Sequence, residues 1–136
     1  MQDEKSIPHS SQRRLQGAKM NHTLLKERTK NFALRIIELV ESLPRGRTAD
    51  SIGKQLLDAG TSVGAHYRAA CRARSQADFI SKMGITEEEA DESLYWLELI
   101  VEAGLLPLSR VSDLMREADE LTAIFVATGR SAKKNR

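Results

Sequence analysis

Cysteine is nearly absent from the sequence, with Cys71 the one example among 136 residues. A single cysteine cannot close an internal disulfide or supply a paired-cysteine zinc site, so nothing calls for an oxidising compartment. No segment approaches the ~18 continuous apolar residues of a membrane span, and residues 1–20 lack the apolar core of a signal peptide. We therefore expect a cytoplasmic protein with no membrane partner.

Turn-forming and aromatic residues are also scarce, since the chain has eight glycines, three prolines, one Trp, two Tyr and three Phe. So few glycines and prolines disfavour a β-sandwich or barrel, and so few rings disfavour an extended stacking platform for single-stranded nucleic acid. With 40% hydrophobic and 29% charged residues, the composition favours one globular domain built from helices.

The net charge of +2 hides an uneven distribution along the chain. Residues 1–22 carry four basic and two acidic residues, residues 130–136 carry four basic residues and no acid, and residues 23–129 have a net charge of −4. We expect a disordered basic arm over residues 1–22, a folded unit over 23–129 and a frayed basic tail over 130–136. Translation could start at Met1 or at Met20.

Hydrophobic residues recur every three or four positions in four segments, which predicts four amphipathic helices. The first covers residues 24–43, the second follows Thr48 as N-cap, the third runs from Gln76 towards Ala103 and the fourth covers residues 109–127. Four helices joined by short loops predict an all-α fold, an up-down-up-down antiparallel four-helix bundle.

Local signals predict where the third helix begins and ends. Ser75 is a suitable N-cap, and Gly104 suits the left-handed position that follows a helix. Gly84 precedes Thr86 and three glutamates, a capping-box pattern that could restart a helix. The hydrophobic stripe stays in phase across Gly84, which favours one long helix.

Catalytic and metal-binding patterns are missing from the sequence. A di-iron site in a bundle needs Glu-x-x-His pairs, and none of His9, His22 and His66 lies three residues after an acidic residue. Cys71 and Tyr67 lie near His66, but no orienting partner is placed by spacing. We expect no catalytic residue, metal or cofactor, and we interpret Cys71 as a small buried hydrophobic residue.

A basic group at the junction of the second and third helices is the most informative cluster. An antiparallel hairpin about Ser75 places Arg72 beside Asp78 and Arg68 beside Lys82, so Arg68 lacks an acidic partner within the chain. Three interpretations stay open for it: solvated charge, a salt bridge between subunits, or a phosphate contact. The nucleic-acid-binding candidates are Arg68, Arg72, Arg74 and Lys82.

Small residues in the second helix suggest a close contact with another backbone. Two glycines inside a helix cost about 1 kcal/mol each relative to alanine, and a close approach would offset that cost. Together with the unpaired Arg68, they suggest a homo-oligomer. The candidate interface residues are Gly60, Ser62, Gly64, Arg68, Glu88, Asp91 and Glu92.

Three stretches, QLLDAGTSVGAHYRAACRARS at 55–75, ADFISKM at 77–83 and EEADESLYWL at 88–97, resemble the 23S ribosomal RNA intervening-sequence protein family. The resemblance covers residues 24–127. It implies a four-helix bundle that closes into a homopentameric ring, with no known catalytic activity. An accessory protein of diversity-generating retroelements is similar in fold, which makes a reverse transcriptase a partner by analogy.

These observations predict a non-enzymatic, oligomeric four-helix bundle that binds RNA or DNA through basic surface clusters. The alternative is a structural or protein-binding scaffold that does not contact nucleic acid. Salt-dependent binding to structured RNA separates the two, because phosphate contacts release counterions and scaffold contacts do not.

Overall fold

The computed structural model describes residues 9–135, with side chains from residue 21 onward. Within that range the chain forms four helices and no strand: α1 (His9–Glu41), α2 (Arg47–Cys71), α3 (Gln76–Glu102) and α4 (Leu108–Lys134). Each helix packs on the next, and α4 also contacts α1 over a smaller area. Because the connecting loops are short, successive helices run antiparallel. The predicted all-α fold of four packed helices is confirmed.

The core consists of side chains on the hydrophobic stripe of each helix. Phe32 and Ile36 from α1, and Leu56 and Val63 from α2, have no exposed surface, as the spacing predicts. The other largest fully buried side chains are Tyr67, Met83, Leu97, Ile100, Leu121 and Phe125. Their burial supplies the main driving force for packing the helices together.

The predicted ends of α3 are confirmed. The Ser75 side chain accepts a hydrogen bond from the Asp78 amide at 3.0 Å. Gly104 has a φ of 75°, and the Leu105 amide donates to the Ile100 carbonyl at 2.9 Å, closing the helix in a Schellman motif. The helix is continuous through Gly84, and the hydroxyl of buried Thr86 donates to the Lys82 carbonyl at 2.9 Å instead of capping a new helix.

The predicted Thr48 cap is wrong by two positions. Helix α2 begins at Arg47 after Gly46, and the Asp50 amide donates to the Gly46 carbonyl at 2.9 Å. Gly46 has a φ of 151°, a conformation that glycine adopts readily because it has no Cβ. The backbone conformation of Gly46 therefore starts α2, and no side chain caps the first turn of the helix.

The first and last helices both extend into the segments for which the sequence predicts a disordered arm and a frayed tail. Residues 9–22 of the predicted arm belong to α1, whereas residues 1–8 lie outside the described residues. The predicted frayed tail is helical through Lys134, and Gln76 Nε2 donates to the Ala132 carbonyl at 2.8 Å. Extending a formed helix costs little, so α1 and α4 continue past the ends of their hydrophobic stripes.

The small residues of α2 allow α1 of the same chain to approach closely. A Cβ added at Gly60 would lie 2.8 Å from Cγ1 of Ile36, and one at Gly64 would lie 3.1 Å from Oγ1 of Thr29. The Thr29 side chain is fully buried, and its hydroxyl donates to the Leu25 carbonyl at 2.8 Å. The close approach that offsets these glycines is therefore made within one chain.

Candidate nucleic-acid and subunit interfaces

Three predicted arginines surround the carboxyl end of α2. Arg68 lies in the last turn of the helix, Arg72 follows it, and Arg74 precedes the Ser75 cap. All three residues are exposed. Within the described residues, none of the three guanidinium groups forms a hydrogen bond or an ion pair, so each remains available to a ligand or partner.

Lys82 differs from the other candidates because it is paired. Its Nζ donates to both carboxylate oxygens of Asp78, at 2.8 and 2.7 Å. The hydrogen bond from Lys82, followed by one from the Arg74 amide, lowers the pKa of Asp78. Asp78 thus pairs with Lys82 one turn along α3 and not with Arg72 across the hairpin, so Lys82 carries little free charge.

Arg68 faces α1, where it borders a groove that the sequence did not reveal. The groove has a volume of about 380 Å³ between α1 and α2, and Lys26 and Lys30 line it together with Arg68. Gly64 and Ala65 also line it, with Glu27 the one acidic residue in the lining. The i,i+4 spacing of the two lysines was the available signal, but their neighbour on α2 depends on how the helices pack.

The acidic candidates form an uncompensated surface on α3. Glu88, Asp91 and Glu92 are exposed, and within the described residues none is ion-paired; Glu92 accepts a 3.4 Å hydrogen bond from Trp96 Nε1. Half-buried Glu89 has a raised pKa, first because burial desolvates it and then because Glu92 is close. We call Glu88, Glu89, Asp91 and Glu92 the acidic face.

The small-residue candidates are occupied within the chain. Gly60 is buried and packs against Ile36 of the same chain. Gly64 packs against Thr29, and the Ser62 hydroxyl donates to the Asp58 carbonyl at 2.6 Å. Packing within the chain therefore accounts for the close approach at Gly60 and Gly64. The main support for the interface prediction comes from Arg68 and the exposed acidic residues.

Salt bridges between α1 and α4 were not predicted from the sequence. Arg28 donates from Nε and Nη2 to the two carboxylate oxygens of Glu117, at 2.9 and 2.7 Å, and Nη2 lies 3.0 Å from Glu120. Hydrogen bonding to Glu117 raises the pKa of Arg28 above its ordinary value. The partners are 89 positions apart, so no local pattern indicates this pair.

The two side chains near His66, Tyr67 and Cys71, lie at the carboxyl end of α2. Tyr67 is 2% exposed, and burial, followed by a hydrogen bond with Cys71, raises its pKa. Cys71 packs half-buried against the core.

In the part of the chain that the structure describes, no three His, Cys, Asp or Glu side chains are grouped as metal ligands. None of the described helices is long and apolar enough to cross a membrane.

Residues 22–127 match the family model of the 23S rRNA-intervening sequence protein. A crystal structure of a protein of unknown function from the S23 ribosomal protein family of Bacteroides thetaiotaomicron is similar, with 33% sequence identity and a TM-score of 0.71. The match covers 76% of this chain and 95% of that one. No curated protein matches the chain.

Proposed function

This chain belongs to the 23S rRNA-intervening sequence protein family, and we propose that it is a non-enzymatic, cytoplasmic homo-oligomer that binds RNA or DNA. The observation that carries this proposal is the set of exposed arginines at the carboxyl end of α2, which have no acidic partner among the described residues. A guanidinium group matches the oxygens of a phosphate with two parallel hydrogen bonds, so an unpaired arginine gains most from such a ligand.

Arg72 and Arg74 are the proposed phosphate contacts. They lie in the loop between α2 and α3, where a nucleic acid can approach without displacing a helix. Lys82, predicted with them, contributes less because Asp78 neutralises it. The proposed contacts address the phosphate backbone, which gives affinity without sequence information.

The proposed oligomer is a ring of five copies, the state implied by the resemblance. Ring assembly joins two different faces of neighbouring copies. The Arg68 groove has three cations and one acid, whereas the acidic face on α3 has no ion pair within the described residues. Arg68 of one copy would therefore meet the acidic face of the next, and the two unpaired surfaces would neutralise each other.

A scaffold that binds another protein is the second candidate, favoured by an exposed tyrosine that packs against a partly buried tryptophan. Tyr95 is 53% exposed, and its ring centroid lies 5.1 Å from that of Trp96 beside the acidic face. Exposed aromatic residues are common at the centre of protein interfaces. A reverse transcriptase, the partner by analogy, belongs to this candidate.

The two candidates are separated by binding a fluorescent hairpin RNA at several salt concentrations. Under the nucleic-acid proposal, Arg72→Gln combined with Arg74→Gln weakens binding and makes the slope of log affinity against log salt shallower by about 0.7–0.9 for each phosphate that is no longer neutralised. Arg45→Gln combined with Arg47→Gln is the matched control, because these exposed arginines flank the other end of α2.

The control should bind as the wild type does, and both variants should keep the oligomeric state. Unchanged affinity and slope in the Arg72 and Arg74 variant, with the oligomer intact, would contradict the nucleic-acid proposal. That outcome would leave the scaffold as the better function.

A further inference from the structure

Antiparallel packing brings three distant basic segments to one end of the bundle. The carboxyl end of α2, the amino end of α3 and the carboxyl end of α4 lie together, because α2 and α4 run opposite to α3. The hydrogen bond from Gln76 Nε2 to the Ala132 carbonyl, at 2.8 Å, ties the first residue of α3 to the last turns of α4. We call the exposed cations there the basic end: Arg72, Arg74, Arg130, Lys133 and Lys134.

The side chains of the basic end have little acidic compensation. None of the five forms an ion pair within the described residues. Asp78 lies near Arg74 but is paired with Lys82, and Glu87 lines a 240 Å³ groove between α3 and α4 with Arg130 and Lys133. Among the residues that the structure describes, five cations thus face solvent at this end, and the unpaired carboxylate of Glu87 lines a groove with two of them.

The α4 part of this surface is held in place by packing. Ala132 is 8% exposed and faces the bundle, so the helix carrying Arg130, Lys133 and Lys134 rests on α3 through this turn. Lys133 and Lys134 also lie in the last turn of α4, where the negative end of the helix dipole favours cations. The backbone that carries these three cations is consequently held beside the start of α3, next to the loop with Arg72 and Arg74.

The cations of this end favour contacts with a phosphate backbone over contacts with bases. The one large aromatic ring exposed among the described residues is Tyr95, in the second half of α3 and away from this end. The Gln76 amide, which could read a base edge, donates to Ala132. No Phe, Tyr or Trp ring is exposed on the described part of this end, so stacking of single-stranded bases is not favoured there, whereas the five cations are suited to phosphate contacts.

We propose that the basic end is one composite surface that binds the sugar-phosphate backbone of a nucleic-acid duplex, independently of sequence. This inference rests on the proposed nucleic-acid function and extends it, because it adds the cations of α4 and specifies a duplex. The α2–α3 turn and the last turns of α4 then contact separate phosphates of the same duplex.

The test compares three variants that each lose two positive charges. Lys133→Gln with Lys134→Gln removes the α4 part, Arg72→Gln with Arg74→Gln removes the loop part, and Arg45→Gln with Arg47→Gln is the control at the opposite end. The probes are a duplex RNA, a second duplex of scrambled sequence, and one single strand. Circular dichroism of each variant checks that the helices are retained.

The expected result is that the α4 and loop variants both bind the duplexes more weakly, with salt slopes shallower by about 0.9 for each phosphate that is no longer neutralised. The control variant should bind as the wild type does, and the scrambled duplex should be bound as tightly as the first duplex. Lys133→Arg combined with Lys134→Arg, which keeps both positive charges, should bind with wild-type affinity. Wild-type protein should prefer either duplex to the single strand.

The contrary outcomes separate this inference from the function it rests on. If the loop variant binds more weakly and the α4 variant matches the control, the composite surface is wrong while nucleic-acid binding stands. Equal decreases in all three variants would indicate a general charge effect, and a preference for the single strand would exclude the duplex; either overturns the inference. If wild-type protein binds none of the probes, the proposed function fails as well.

Discussion

Gly60 and Gly84 both lie inside helices, but their surroundings differ. A Cβ at Gly60 would lie within 3.2 Å of three atoms of the Ile36 side chain, including its Cβ, whereas a Cβ at Gly84 would meet nothing within 4 Å. We expect Gly60→Ala to destabilise the protein by about 1–3 kcal/mol through overpacking. Gly84→Ala should stabilise it by about 0.4–1 kcal/mol, since it reduces the freedom of the unfolded chain.

Chemical denaturation of the two variants measures this difference. Gly84→Ala is the control for helix propensity, because the substitution is the same and only the surroundings change. If Gly60→Ala were as stable as Gly84→Ala, α1 would not approach α2 as closely as the structure shows.

The raised pKa of Glu89, on the acidic face, makes the stability of the fold depend on pH. Burial, and then the neighbouring Glu92, raises its pKa above the usual value, while His66 acts in the opposite direction. The folded chain therefore binds this proton more tightly than the unfolded chain, and stability falls as pH rises from the usual pKa of glutamate through the raised one. We expect Glu89→Gln to remove this decrease, making the variant more stable than wild type at neutral pH.

Unfolding measured from acidic to neutral pH tests this expectation. The advantage of Glu89→Gln should vanish at pH values below the usual glutamate pKa, where both side chains are neutral. Glu98→Gln, a change at an exposed glutamate on the same helix, is the control. A variant less stable than wild type at neutral pH would show that the charged carboxylate contributes favourably to the fold.

Hydroxyl residues show why some caps could be predicted and others could not. Ser75 caps α3, but Thr86 donates back to the carbonyl four residues earlier, as do Thr29 and Ser93. The same hydroxyl can bond forward at a helix start or backward inside a helix. A capping pattern therefore indicates a helix end only where the hydrophobic stripe also breaks, and at Thr86 it does not.

At the scale of the helices, the hydrophobic pattern predicts the packed segments but not the full lengths. Residues 24–43 were expected for the first helix, and α1 spans His9–Glu41. The fourth helix was expected to end at Ala127, and α4 reaches Lys134. Periodicity reports which residues face the core, whereas a helix can continue beyond the core by propensity alone.

The contact made by the small residues of α2 was predicted, but its partner was not. Two interior glycines require something to pack closely against them, and a sequence does not say whether that is another subunit or another helix. Ile36 and Thr29 of α1 fill the positions next to Gly60 and Gly64. Arg68 consequently becomes the main support for an oligomer, because its charge is not neutralised within the described residues.

At the scale of the whole molecule, the candidate surfaces depend on contacts between distant residues. Arg28 and Glu117 are 89 positions apart, and Gln76 and Ala132 are 56 apart. Periodicity assigns each residue to a face of its own helix but does not determine which helices are neighbours. The grouping of Arg68 with Lys26 and Lys30, and of Arg72 with Lys133, could therefore be found only in the folded chain.

A ring would multiply the effect of the basic end. Rotation about one axis places every copy of a surface at the same height, so the basic ends of all subunits would lie at one level of the ring. Many weak phosphate contacts at one level raise the affinity for a polyanion together, although the net charge of one chain is only +2. The proposed oligomer and the proposed binding surface thus reinforce each other.

Charge reversal tests the proposed contact between copies. Arg68→Glu should weaken assembly by about 2–5 kcal/mol, because it places like charges together at an interface. Combining it in turn with Glu88→Arg, Asp91→Arg or Glu92→Arg should restore the oligomer in one double variant and identify the partner, whereas Glu98→Arg should not. Light scattering at micromolar concentration gives the oligomeric state. If Arg68→Glu keeps the wild-type oligomer but binds RNA more weakly, Arg68 belongs with Arg72 and Arg74 on the nucleic-acid surface.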